Sequence, residues 1–233
     1  MFLELIHWLQ VSGPDPGNNP RLATAIATAK KVGFPKSSIS AAISRGQGVS
    51  ASGTALESLV IECIGPGSVA MVIDCQTDNK ARTLQDLRLI IKDHGGTTTP
   101  TGYMFSKRGR VVFESQEGMD MDNVFDDAVE AGAEDVDVDK DGNIIIFTEP
   151  SKTISAAAIL SQRRGLKTLS SNIIWDANKD TIVSLEATRS LQELSDLIED
   201  LQEDPSVQGV YLNAAQGSID DVAWAELQNR VAV

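Results

Sequence analysis

Apolar residues recur along this chain first at helical and then at alternating spacing. Leu22, Ala25, Ile26 and Ala29 repeat three and four apart after Asn19-Pro20, an N-cap with proline at the first helical position, and Gly33 closes that helix. Pro35 opens a second, short helix with Ile39, Ala42 and Ile43 on one face and Gly46 just past its end. The small polar stretch 47–55 has the composition of a linker and marks a domain boundary. Beyond it, Leu59–Ile64 and Val69–Cys75 are β-type runs joined by Gly65-Pro66-Gly67, a turn that uses the conformational freedom of glycine. Thr77-Asp78-Asn79 caps a helix running to about His94, with Leu84, Leu87 and Ile91 inward and Gln85, Arg88 and Lys92 outward, stopped by Gly95-Gly96. Tyr103–Phe105 and Val111–Phe113, separated by Lys107-Arg-Gly-Arg110, predict a further hairpin.

The pattern then starts again. A helix with Val124, Ala128 and Val129 is followed by strands near Val136 and Ile144–Phe147, a helix over 151–162 and a strand to Trp175. A helix over 188–203 and a strand at 207–212 complete the series. The first unit, ββαββ, lacks a closing helix and strand, and the tail supplies one, so the second unit reads as an insertion into a discontinuous domain. The expected fold is α+β: a helical domain over 1–53, a discontinuous split β-α-β (ferredoxin-like) domain over 54–117 plus 182–233, and an inserted acidic α+β domain over 118–181.

Charge sharpens this division. The chain of 233 residues carries a net −13, yet residues 1–53 hold five basic side chains (Arg21, Lys30, Lys31, Lys36, Arg45) against two acidic ones, while the remainder holds 15 against 31. Any nucleic-acid contact is therefore expected to be local to the N-terminal part, with Arg82 and Arg88 as secondary contacts, and to read phosphates or shape, because no aromatic ladder interleaves the cations. Asp120 to Asp141 holds ten carboxylates, which suits a solvated face or a basic partner. Asp137-Val-Asp139-Lys-Asp141-Gly142 opens like a calcium loop, but the twelfth position is Thr148, so a β-hairpin with an Asp-Gly turn is the better reading.

Catalytic chemistry has little to use. There are two histidines, His7 and His94, and two cysteines, Cys63 and Cys75, and no glycine-rich phosphate loop. The expectation is a non-enzyme without metal or cofactor, with free cysteines on facing strands. No apolar run is long enough to cross a bilayer.

Asn19-Pro-Arg-Leu22, Phe34-Pro-Lys36, the Ile39–Gly48 segment with Arg45-Gly46, Gly65-Pro-Gly67, Thr77-Asp78-Asn79 with Arg82-Thr83, His94-Gly95-Gly96 and Val207–Asn213 together resemble the YebC-type family over roughly residues 17–213. The resemblance implies three domains, helical and then two α+β, with the third inserted in the second, and a non-enzymatic role. Bacterial members are described as DNA-binding transcriptional regulators or ribosome-associated factors. Mitochondrial members activate translation of a respiratory-chain subunit. On that resemblance the expected function is a monomeric translational activator binding messenger or ribosomal RNA in the mitochondrial matrix. The alternatives are a cytoplasmic DNA-binding regulator, or an adaptor docking a basic protein through the acidic domain. Relatives carry a lysine-rich helix beginning near Gly-His-Ser-Lys-Trp, where this chain has only Met1–Gln10 before Gly13-Pro-Asp-Pro, so the resemblance also implies an N-terminally shortened chain.

Overall fold

The computed structural model describes residues 20–31, 33, 35–50, 53–116 and 121–231. The capping expected from Asn19 lies outside these residues, as do Phe34 and the segment Met1–Gln10. Helix α1 spans Pro20–Lys31 and α2 spans Lys36–Gly46. They bury Leu22, Ala29, Ile39 and Ala42 against one another, with Ala25, Ile26 and Ile43 partly covered, as the helical spacing predicts. The segment read as a linker is a tight reversal rather than an open spacer: Val49 bridges Ala55, the Ser50 amide donates to the Thr54 carbonyl at 2.7 Å, and the Leu56 amide to the Gly48 carbonyl at 2.8 Å.

A first sheet has the order β3-β1-β2-β9, built from β1 (Glu57–Ile64), β2 (Ala70–Thr77), β3 (Thr97–Thr98) and β9 (Val207–Leu212), all antiparallel. Helices α3 (Lys80–Asp93) and α6 (Thr188–Glu203) cover one face, where Ile61, Met71, Ile73 and Val210 meet Leu87, Ile91, Leu194, Leu197 and Leu201. The turn before β2 behaves as its residues require. Gly67 sits at φ +71°, and a side chain on Gly65 would approach the Met71 sulfur to 2.8 Å, against a core helix. The Asn79 side chain accepts from the Arg82 amide at 3.1 Å and so caps α3, while Gly95 at φ +74° ends it. His94, at that C-terminus, meets the Asp200 carboxylate of α6 at 2.7 Å.

The second sheet runs β5-β6-β4-β7, from β4 (Phe105–Phe113), β5 (Ala133–Val138), β6 (Ile144–Thr148) and β7 (Thr168–Ala177), again antiparallel. Helices α4 (Met121–Glu130) and α5 (Thr153–Arg164) cover one face, over Val111, Phe113, Ile144 and Ile146. The β5–β6 turn is the predicted hairpin: Asp139 accepts from the Asp141 and Asn143 amides at 2.9 Å, and Gly142 takes φ +79°. Ala70, Val72 and Tyr211 of the first sheet meet Phe105 and Ile174 of the second, so the two sheets pack on each other away from their helices.

Three expectations are corrected. Residues 103–113 do not form a hairpin: Phe105–Phe113 is one strand, paired along its length with β7. Gly109 is no turn residue; a Cβ there would lie 1.8 Å from Thr153 Oγ1, so glycine permits close approach of strand and helix. Because β4 belongs to the second sheet, the dividing point placed at 117 moves upstream of Phe105. Val129, grouped with Val124 and Ala128 in the helical pattern, is half exposed while those two are buried. Three short elements carried too little periodicity to be foreseen: β8 (Val183–Leu185), β10 (Ala214–Gln216), which pairs with it in parallel, and α7 (Asp221–Gln228).

Candidate nucleic-acid interface

The basic N-terminal segment folds so that its lysines gather at one corner. Lys30 and Lys31 occupy the last turn of α1, where cations complement the helix dipole, and Lys36 begins α2 just beyond the Gly33 turn. All three are exposed and have no ion-pair partner among the described residues. No carboxylate occurs in the sequence between Asp15 and Glu57, so the two helices themselves carry no neutralising charge. The interior of the helix pair is filled by small apolar residues, which leaves long charged side chains only on its outside.

Arg45 departs from its expected role as a nucleic-acid contact. Its Nη1 donates to the Gln76 carbonyl at 2.8 Å, tying α2 to the end of β2. Burial lowers its pKa, against the opposing influence of the Asp204 and Asp78 carboxylates. A half-buried guanidinium spent on a backbone carbonyl braces the helical module against the first sheet rather than reaching a ligand. Arg82 is exposed but paired with Asp78 at 2.9 Å, one helical turn away. Arg88 and Lys92 stand exposed on the outer side of α3, as the periodicity predicts. The side-chain position of Arg21 lies outside the described residues.

The cations of Lys107–Arg110 lie against other parts of the protein. Arg108 reaches Asp176 at 2.9 Å and Glu134 at 3.6 Å, and its guanidinium lies 4.7 Å from the centre of the Phe147 ring. Lys107 lies 5.2 Å from the Trp175 ring centre. Burial lowers the Arg110 pKa, opposed by the Asp139 carboxylate. The open depression formed by Lys107, Arg108 and Lys179 is shared with Glu134 and Asp176, so most of its positive charge is offset within the protein.

The glycine and asparagine motifs are architectural. Gly65, Gly67, Asn79 and Gly95 shape turns and a cap, Pro66 begins the short turn between β1 and β2, and Asp78 holds Arg82. Gly96 packs where a Cβ would be 3.0 Å from the Ile64 carbonyl oxygen. Asn213, buried at the end of β9, accepts from the Ala70 amide at 2.7 Å and donates to the Thr181 carbonyl at 2.6 Å, joining two segments distant in sequence. The cysteines are on adjacent strands but out of register: Cys63 faces Met71 and Cys75 faces Leu59. Burial pushes both thiols up to about 12, which suits packing rather than reactivity. Among the described residues no group of three histidine, cysteine or acidic side chains is placed to hold a metal ion, and no helix is long and apolar enough to cross a membrane.

Comparison with known proteins agrees with this architecture. Residues 2–49 match the family model of the TACO1/YebC protein N-terminal domain, and residues 56–214 match that of the TACO1/YebC second and third domain. A protein of Aeromonas salmonicida named probable transcriptional regulatory protein is 35% identical over 221 residues, covering 94% of this chain and 85% of its own. One of the same name from Tolumonas auensis is 33% identical over 231 residues, covering 98% and 89%. The crystal structure of a conserved hypothetical protein from Aquifex aeolicus superposes with a TM-score of 0.62 at 29% identity, covering 93% of this chain and 88% of its own. These relatives overturn the expected mitochondrial placement. They come from bacteria, which have no mitochondria, and they favour the cytoplasmic alternative. With both family models matched in chain order over nearly all of its length, the chain belongs to the TACO1/YebC family.

Proposed function

We propose that this chain is a non-catalytic regulator that contacts the phosphate backbone of duplex DNA through the α1–α2 corner, in keeping with the transcriptional role in its relatives' names. The observation that carries the reading is the carboxylate-free segment presenting Lys30, Lys31 and Lys36 to solvent on a protein otherwise strongly acidic. The acidic remainder repels polyanions, so contact is confined to that corner, with Arg21 on the same helix and Arg88 and Lys92 on α3 as auxiliary cations. Lysine point charges without base-stacking aromatics give register and affinity more than sequence discrimination.

The test is fluorescence anisotropy of a labelled DNA duplex against an RNA of equal length across a salt series. The expected result is DNA bound at least as well as RNA, with a log–log salt slope that becomes shallower by about 3 when Lys30, Lys31 and Lys36 are all changed to Ala, one unit per lost phosphate contact. Binding unchanged by that triple substitution overturns the interface. A clear preference for RNA or for ribosomes returns the protein to translation.

A further inference from the structure

Helix α4 carries two apolar faces, and among the described residues only one is covered by the fold. Val124 and Ala128 point into the core of the acidic region. Met121, Phe125 and Val129, spaced four apart, stay 40%, 48% and 52% exposed. At about 100° per residue these three form one strip roughly 80° wide beside the buried face, and Asp122, Asp126 and Glu130 form the next strip outward. A helix that packs on one side only places polar residues on the rest of its surface, and a large apolar residue at each successive turn of the solvent side departs from that pattern.

The carboxylates around the strip are not all spent. Asp127 is taken by Arg163 and Arg164, and Glu130 by Arg163 at 2.7 Å. Asp122 and Asp126 have no ion-pair partner among the described residues. The surface is therefore an apolar ridge bordered by surplus negative charge.

We propose that this ridge docks a protein partner through a short amphipathic segment whose apolar side chains cover Met121, Phe125 and Val129 and whose flanking lysines or arginines meet Asp122 and Asp126. Charge selects the occupant. A nucleic acid is repelled, and a second copy using the same ridge would bring two rows of carboxylates together. A basic amphipathic segment satisfies both halves of the surface. The inference does not rest on the DNA-binding reading, which uses another element and the opposite charge.

The experiment uses the full chain and a labelled synthetic helix-forming peptide of leucine and lysine, with an all-polar lysine–glutamine peptide of equal charge as control. The expected result is saturable binding of the leucine peptide, about tenfold or more tighter than the control. Phe125→Ser with Val129→Ser should weaken it by about tenfold, and Asp122→Asn with Asp126→Asn should weaken it and flatten its salt dependence. All four residues are exposed, so unchanged thermal melting of each variant is expected and is measured alongside. DNA binding should be unaltered in both variants. Equal affinity for the two peptides, or leucine-peptide affinity indifferent to the Phe125 and Val129 changes, overturns the proposal. So does concentration-dependent dimerisation in sedimentation that Phe125→Ser abolishes, because the ridge would then be covered by another copy.

Discussion

The helical module and the inserted acidic region handle charge in opposite ways. In the acidic region many cations are matched with carboxylates: Arg163 and Arg164 with Asp127, Lys167 with Glu114, Lys152 with Glu149, and Arg108 with Asp176 and Glu134. In the helical module three lysines have no ion-pair partner among the described residues, and its one arginine of defined position is used to hold the module in place. The cores differ as well. Among the described residues, twelve buried ones stand under the second sheet's helices, against four between α1 and α2. A charge paired internally supports the fold, and a charge left over marks a surface directed outward. This molecule leaves positive charge over at one end and negative charge at another.

The strongest way to break the comparison is to empty each core. Leu160→Ala, at a fully buried site on α5, should cost about 3 kcal/mol and lower the main melting transition by several degrees. Leu22→Ala removes the largest side chain from the small core and should melt α1–α2 locally. Amide exchange over residues 20–50 would then accelerate while the main transition stays nearly in place. An equal drop in the main transition for both variants would show one cooperative unit and remove the distinction.

Arg45→Ala tests the brace between the regions. Losing a charged hydrogen bond to the Gln76 carbonyl should cost about 2 kcal/mol and loosen α2, seen as faster exchange at its amides, with the DNA salt slope changed far less than by the lysine triple variant. A slope change of a full unit would instead make Arg45 a phosphate contact.

The smallest effect concerns Asp74, half-buried on β2. Burial raises its carboxyl pKa, while Lys107 and the Cys75 amide act in the other direction. With the folded value above the unfolded one, its contribution to stability is complete below the unfolded pKa and is lost as pH rises through the folded value. Asp74→Asn should therefore melt slightly higher than the natural chain at neutral pH, and the difference should close below about pH 4. A gap that widens on acidification would mean that the carboxylate is stabilised by its neighbours.

Local chemistry was legible wherever a residue acts on its own neighbours. The Asn79 cap, the Gly65-Pro66-Gly67 turn, the Gly95 stop and the Asp139 hairpin turn each close within a few residues, and each stands where the chain implies it. Lys107–Arg110 misled because charged residues around a glycine resemble a turn. In the folded chain Phe147, Trp175, Asp176 and Glu134 give those side chains a place on a sheet surface, and Thr153 explains the glycine. The exposed ridge on α4 was equally hidden, because periodicity shows that Met121, Phe125 and Val129 share a face but not what lies over it.

The sequence by itself determined most of the elements, most of the core, the α+β class and the separation of a basic head from an acidic body, because those follow from spacing and composition. Tertiary structure decided which sheet β4 joins, that Arg45 braces while Lys30, Lys31 and Lys36 face outward, and that two cysteines on adjacent strands stay apart. The physical reason is common to all three. Strand partners, burial and ion pairing are set by residues far away in the chain, and a side chain's role depends on which of those neighbours the fold delivers.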